Sequence, residues 1–489
     1  YNEIGCSPAE ALELIAQEDE DFFVLNSPEI RLDSSLRGGD QRIFKVPIRV
    51  SEQALNSQTF SLPVYAQYRT RSGEITQTPI YNFSIRLYSQ EEFEEIENHY
   101  AAYAEGGVVG DPDMFYGREE LIENAARAIL ESRKQSKCIV IFGQKRAGKS
   151  SILHHLSNKL QAFKELIILD MGNIGSIIDE HSQIPFIYQI LWSILDDLKS
   201  AIENRINKGF SPLNIFFPDD FEFYAHPSPL MKFKDIFSRY KLTTRDLEDW
   251  RNLRIVVLID EFSYIYEQIV NGKIPEEFMK NWKAILQENY FSAVLVGQDV
   301  MAKFKQRFPN EFGTTQDERV SYLKRDDAIK LIDEPIRIGG RQGQSRYRER
   351  AIERIIDLTA GSPFYIQIIC NRLVEYMNRK RARLVTEADV EQVKEELIRG
   401  VNALKLYKFD NLINSGDASV DAISDEDALK VLTMIAVNSQ TGACNRNNIT
   451  CKTKTNIDLI LDDLVKREVV ERDRGQYYSI RVGLFKEWL

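Results

Sequence analysis

Gly143-Gln144-Lys145-Arg146-Ala147-Gly148-Lys149-Ser150 carries the strongest chemical signal in this sequence. The spacing is GxxxxGKS, set directly after the apolar run Cys138-Ile139-Val140-Ile141-Phe142 and directly before a helical pattern. Glycines let such a loop wrap so that backbone N–H groups and the following helix N-terminus face phosphate oxygens. Lys149 is then expected to reach the β/γ-phosphates of a nucleotide and Ser150 to hold Mg²⁺. Residues Gly143, Gln144, Lys145, Arg146, Ala147, Gly148, Lys149, Ser150 and Ser151 are therefore the expected binding loop, with ATP and Mg²⁺ as its cofactors.

A second signal is Ile255-Val256-Val257-Leu258-Ile259-Asp260-Glu261, an apolar strand ending in two acids. Ligands of open α/β sheets bind at the carboxyl ends of strands, which gives the two acids separate jobs. Asp260 belongs in the Mg²⁺ shell with Ser150, and Glu261 is placed to orient an attacking water. One strand later Gln298 follows Gly297, where an amide can sense a γ-phosphate or simply cap the strand. The expected catalytic set is Lys149, Asp260, Glu261 and Gln298.

Other chemistry-bearing residues are weaker. His154 and His155 are adjacent on one predicted helix and so do not share a face for metal. Cys444 and Cys451 have no histidine nearby, too little for a zinc site. The five cysteines are scattered and odd in number, which points to a reducing, cytoplasmic setting. No apolar run approaches the ~18 residues that span a bilayer, so no membrane partner is expected.

At roughly 150 residues per domain, 489 residues suggest about three domains. Residues 1–104 read as an antiparallel β-sandwich of immunoglobulin-like type. Period-two runs at Phe44 to Val50, Leu62 to Tyr68 and Tyr81 to Leu87, with a turn at Ser72-Gly73, carry that reading, and a trailing helix would bear Phe93, Ile96 and Tyr100. Residues 105–113, rich in glycine, read as a linker. Over 114–320 strands and helices alternate, implying a central α/β P-loop NTPase with a parallel sheet; Phe210 to Pro229 reads as an irregular insert. From Asp326 to Ile398 the pattern is wholly helical, so residues 321–410 are expected to form a helical lid. Residues 411–489, three helices and a hairpin, read as a C-terminal winged helix.

Together, Phe115-Tyr116-Gly117-Arg118-Glu119, the Ile259-Asp260-Glu261-Phe262 segment, Leu323 to Pro335 and Gly361-Ser362-Pro363-Phe364 resemble the STAND class of AAA+-related ATPases. The closing segment Gly483 to Leu489 is similar too. The resemblance covers residues 114 to 489 and implies that Phe115, Tyr116, Gly117 and Arg118 line the adenine side, with Pro363 contacting the base. It also implies a signalling switch that assembles as a homo-oligomer or fires an effector protein, as bacterial members do in antiviral defence. Arg307 and Arg319 lie where related ATPases place a group that completes a neighbour's site. One departure is clear: the last histidine is His226, so the histidine with which many relatives clasp ADP is missing.

Archaeal origin-recognition-like and transposition ATPases join a related core to a winged helix, so DNA binding is the alternative. Charge disfavours it. The whole chain has 74 acids against 63 bases, and from Asp421 onward there are 11 acids against 10 bases. The would-be recognition helix carries Asp458, Asp462 and Asp463, although Arg446, Lys452, Lys454, Arg472 and Arg474 could form a patch. Arg341, Arg346, Arg348 and Arg350 form a second basic cluster, expected as a solvated loop. The chain opens on Tyr1 rather than Met, so the reading frame is expected to extend upstream.

Overall fold

The computed structural model describes residues 1–489 except positions 1, 3, 4, 26–28, 33, 34, 41, 43, 45, 88–92, 133, 134, 180, 420, 440, 441 and 474. Arg474 falls outside the described residues. The chain divides into two compact units, residues 1–96 with 377–383, and residues 97–376 with 384–489.

In the first unit, strands β1 (Glu10–Ala16), β3 (Glu29–Arg31), β5 (Thr59–Arg69), β6 (Ile75–Gln77) and β7 (Tyr81–Arg86) form an antiparallel sheet, while β2 (Phe23–Leu25) pairs with β4 (Ile48–Val50). Alternation along β5 puts Phe60, Leu62 and Val64 into a core shared with Phe23, Leu25 and Ala54, so the small pair packs on the larger sheet. The Ser72-Gly73 turn is present, with Gly73 at φ +89° closing the β5–β6 hairpin. Tyr81 and Phe83, expected on the buried face, are exposed. The trailing helix expected around Phe93, Ile96 and Tyr100 is irregular chain and turns instead. Tyr100, in the second unit, is buried because its hydroxyl donates to the Leu331 and Ile332 carbonyls at 3.1 and 2.7 Å; a tertiary anchor, not a helical face, explains its apolar ring.

The second unit is built on a parallel sheet in the order β12-β8-β11-β10-β9, formed by β8 (Cys138–Gly143), β9 (Leu166–Asn173), β10 (Arg254–Asp260), β11 (Ser292–Gly297) and β12 (Gln316–Val320). This is the parallel α/β arrangement expected over residues 114–320. Each central strand is apolar on both faces: Val256 and Leu258 join one core with Ile139, Ile141 and the helix Lys149–Gln161, whereas Ile255, Val257 and Ile259 join the other. The insert is irregular up to a short helix, Asp220–Ala225. Helices Arg325–Asp333, Ala351–Thr359, Pro363–Lys380 and Glu387–Arg399 follow.

The C-terminal module sets helices Asp425–Asn438 and Ile457–Lys466 against an antiparallel sheet of β13 (Cys444–Asn445), β15 (Tyr477–Ile480) and β14 (Val470–Asp473). A last helix, Gly483–Trp488, follows the hairpin, beyond the three helices that the sequence predicts for this module. Its Glu487 takes Arg354 at 2.8 Å and Lys394 at 2.7 Å, and Trp488 donates to the Leu404 carbonyl at 2.8 Å, which fastens the module to the helical region.

Candidate functional site

The sheet order places the 143–150 loop at the carboxyl end of β8, between β12 and β11, with Asp260 and Gly297 ending the next strands along. Gly143 is required by close approach rather than by wrapping: a Cβ there would lie 2.1 Å from the Val320 carbonyl oxygen of β12. The wrapping is done at Arg146 (φ +68°) and Gly148 (φ +89°), which turns the chain into the helix starting at Lys149. Lys149 is buried, and its ammonium donates to the Gln144 carbonyl at 2.7 Å. Burial pushes the Lys149 ammonium below its usual range, while Glu261, Asp299 and Asp260 pull it back up.

Asp260 Oδ1 accepts the Glu261 N–H at 2.8 Å, and Glu261 sits in the left-handed region at φ +54°. A strained conformation at an acid turns its carboxylate off the strand direction. Gln298 Nε2 donates to Glu261 Oε2 at 3.1 Å, and the Gln298 N–H is held by Ser263 Oγ at 3.2 Å. The sensor candidate and the water-orienting candidate are thus brought into direct contact.

A cavity of about 250 Å³ lies over the loop, lined by Lys145, Arg146, Gly148, Lys149, Ser150, Ser151, Glu261 and, from the helical region, Pro363, Phe364 and Gln367. Three cations and a helix N-terminus face it, which suits a polyphosphate. Ser150 and Asp260 supply hard oxygen donors of the kind Mg²⁺ takes alongside phosphate oxygens. Gly361 (φ +77°) lets the Ser362-Pro363 turn close: a Cβ would stand 2.8 Å from the Leu323 carbonyl oxygen. Arg146 lies 4.3 Å over the Phe364 ring and donates to the Lys408 carbonyl at 2.8 Å, tying the loop to the far wall.

The remaining wall comes from Tyr103 and from the glycine-rich segment 105–113 that the sequence presents as a linker. Tyr103, Gly106, Gly107, Val108 and Val109 line the same cavity. Val109 is gripped at both backbone atoms, its N–H donating to Ser151 Oγ and its carbonyl bonded by His155 Nε2, both at 2.9 Å. Phe115 stacks on His155 at 3.9 Å, whereas Phe115, Tyr116, Gly117 and Arg118 stand outside this lining. Tyr116 bonds Glu334 at 3.2 Å, and Arg118, pushed down to about 10 by burial, donates to the Ser321 carbonyl. A Cβ on Gly117 would meet the Asp327 Cβ at 2.7 Å, so this segment packs the core tightly against helix Arg325–Asp333. Glycine runs with no hydrophobic period hide a binding wall, because their backbone rather than their side chains does the work.

The C-terminal module reaches the loop directly. Gln144 Nε2 donates to the Arg467 carbonyl, Arg319 donates to the Lys466 carbonyl at 2.6 Å, and the Tyr322 hydroxyl donates to the Glu468 carbonyl at 3.3 Å. Arg467 itself is buried and donates to the carbonyls of Ile413, Asn411 and Asn414 at 3.1, 3.1 and 2.8 Å. Arg319 therefore serves within its own chain, and Arg307 pairs with Glu276 at 2.7 Å. The expected solvated cluster is also largely internal: Arg341 pairs with Asp113 at 2.9 Å, Arg346 is buried on the Ile336 carbonyl, and Arg348 bonds the Ser345 and Tyr347 carbonyls at 2.8 Å.

On the module's outer helix, Asp458 takes Arg446 at 2.6 Å and Asp462 takes Arg472 at 3.0 Å. Among the described residues no group of three or more His, Cys, Asp or Glu side chains is placed to hold a metal. Among the same residues no helix is long and apolar enough to cross a membrane.

No protein-family model and no curated protein sequence matches this chain. Among solved structures it is similar to a Walker-type ATPase of Pyrococcus abyssi, at 14% identity and a TM-score of 0.45, over 79% of this chain and 99% of that one. It is also similar to Drosophila ORC bound to DNA, at 13% identity and a TM-score of 0.41, over 83% and 95% of the two chains. The Thermotoga maritima RuvB Holliday junction branch migration motor aligns at 12% identity and a TM-score of 0.36, over 76% and 95%.

Proposed function

We propose that this chain is an ATP-dependent molecular switch that binds and hydrolyses ATP with Mg²⁺ and converts nucleotide state into release or docking of its C-terminal module. The observation that carries this reading is the bond from Gln144, inside the phosphate-binding loop, to Arg467 of that module. A loop that must wrap phosphates and also hold a module links the two states energetically, because any ligand that prefers one loop geometry biases the module's docking.

In this reading Lys149 anchors the β/γ-phosphates, and Arg146 and Lys145 neutralise the outer oxygens. Ser150 and Asp260 would hold Mg²⁺, which would supply charge neutralisation at the transferred phosphoryl group. Glu261 orients and deprotonates the attacking water, and Gln298 holds Glu261 in place. The motif resemblance to the STAND class supports a cytoplasmic signalling role, of the kind bacterial members serve in antiviral defence. The β-rich residues 1–104 would then act as the contact for an effector or a second copy, and residues 411–489 as a winged helix that works as a switch element rather than a DNA reader.

The test pairs two variants. Lys149→Ala should lose fluorescent-ATP affinity and ATP-dependent assembly. Glu261→Gln should keep ATP affinity, release phosphate on the order of 10²-fold more slowly, and accumulate the assembled form seen by light scattering. Wild-type hydrolysis in Glu261→Gln, or assembly by Lys149→Ala with ATP, refutes the reading.

A further inference from the structure

A second cavity, of about 270 Å³, opens at the other edge of the parallel sheet. It lies at the amino ends of β10 and β11, where Arg254 and Ser292 begin their strands, whereas the P-loop site lies at the carboxyl ends. The seven residues of β10 separate the two by about 20 Å at ~3.3 Å per residue, so they cannot share a ligand. Four cations line it, Lys241, Arg245, Arg251 and Arg254, and no acid is among its described lining residues. It is as large as the ATP-site candidate and holds one cation more.

These four side chains are arranged as a receptor for an anion rather than as scattered surface charge. Arg254 is fixed at the base by donating to the Ile129 and Leu130 carbonyls at 2.8 and 3.0 Å. Lys241 is held over the Tyr290 ring at 4.8 Å and donates to the Glu288 carbonyl at 2.8 Å. Burial lowers the Lys241 ammonium from its usual range, a cost that an anion in the cavity would offset. Arg245 and Arg251 are at the rim, paired with Asp246 at 3.2 Å and Glu248 at 3.9 Å. Both pairs are exposed, and exposed pairs are weak enough for a phosphate to replace them. Two fixed cations and two adjustable forks match a ligand with more than one phosphate group, since guanidinium takes phosphate oxygens two at a time. The concave shape selects a small ligand over a duplex, and the net charge of −11 gives an extended polyanion no general attraction.

We propose that this cavity is a second anion site, independent of the P-loop, that takes a small ligand bearing two or more phosphates. The probe is inorganic tripolyphosphate, titrated calorimetrically into the full chain already saturated with ADP. A binding event is expected there, and again in Lys149→Ala, where the P-loop lacks its anchor. The variant Lys241→Gln/Arg245→Gln/Arg251→Gln should weaken it at least ~10-fold, the scale of lost charge-assisted contacts. That variant should keep ADP affinity within about twofold, which shows that it folds. Absence of binding to the ADP-loaded chain, or equal affinity in the triple variant, overturns the proposal. So does a labelled DNA duplex that binds through the same three side chains, since that would make the cavity part of an extended nucleic-acid surface. Loss of the P-loop reading itself would show separately, as failure of Lys149→Ala to alter ATP affinity.

Discussion

Ser151 Oγ accepts the backbone N–H of Val109 at 2.9 Å, so the helix that begins the phosphate-binding site also holds the strap that covers it. Because Ser151 follows Ser150 directly, any shift of that helix turn on filling the loop is passed to residues 106–109. His155, one turn on, secures the other side of the same residue.

Replacing Val109 by proline removes the donated N–H while leaving the carbonyl in place. ATP affinity should fall roughly tenfold, the value of one buried hydrogen bond at about 1–1.5 kcal/mol, and Ser151→Ala should fall by a similar amount. Unchanged affinity in both would mean that the strap does not contribute to binding.

His155 gives the strap a pH dependence. Burial lowers its pKa, the bond to the Val109 carbonyl opposing the shift, so the neutral ring belongs to the folded state. Its stabilising effect is fully present above the usual histidine value of about 6.5 and is lost as pH falls through the lowered value. Between pH 7.5 and 5.5 the wild type should therefore lose more thermal stability than His155→Gln; parallel loss in the two proteins would exclude the histidine as the cause.

Arg467 donates to three carbonyls of the 411–414 segment, and Arg467→Ala leaves those of Asn411 and Ile413 buried without this donor. The expected cost is about 2–4 kcal/mol in unfolding. Nucleotide release should also speed up, since Gln144 loses a fixed partner. Arg467→Lys should not rescue, because one ammonium cannot span the fork that a guanidinium fills. A rescued release rate with lysine would point to charge alone.

Gly143→Ala should be among the most damaging single-methyl changes in the chain, at roughly 3 kcal/mol or more, because β8 and β12 would have to part around the Val320 carbonyl. Chemical denaturation measures it. A cost below 1 kcal/mol would mean the two strands separate easily at that end.

For DNA, Arg446→Ala and Arg472→Ala should leave duplex binding as weak as in the wild type across a salt series, since both arginines are already paired with acids of the helix Ile457–Lys466. Tight, steeply salt-dependent binding that these changes abolish would favour the origin-recognition-like alternative.

Where the chemistry depends on contiguous residues, it was legible in the chain itself. The apolar runs of β8, β10 and β11 read as strands buried on both faces, and each leads to a residue that a site at the carboxyl edge uses, Gly143, Asp260 and, one position past β11, Gln298. β12, Gln-Asp-Glu-Arg-Val, gave no signal, because an edge strand gains its place from backbone pairing with β8 and needs no apolar run. The expected helix at Phe93 to Tyr100 failed for the opposite reason: buried aromatic residues mimicked a helical period while answering to tertiary partners.

The sequence by itself determined the loop, its lysine and serine, the two acids after β10 and the parallel core that presents them, since local steric and hydrophobic rules act over a few residues. Only the tertiary structure decided that residues 106–109 wall the cavity, that Arg319 bonds the Lys466 carbonyl of the C-terminal module, and that Arg467 meets Gln144 from 323 positions away in the chain. Those pairings join backbone atoms, which every residue carries alike, so no residue type or spacing marks them before the chain has folded.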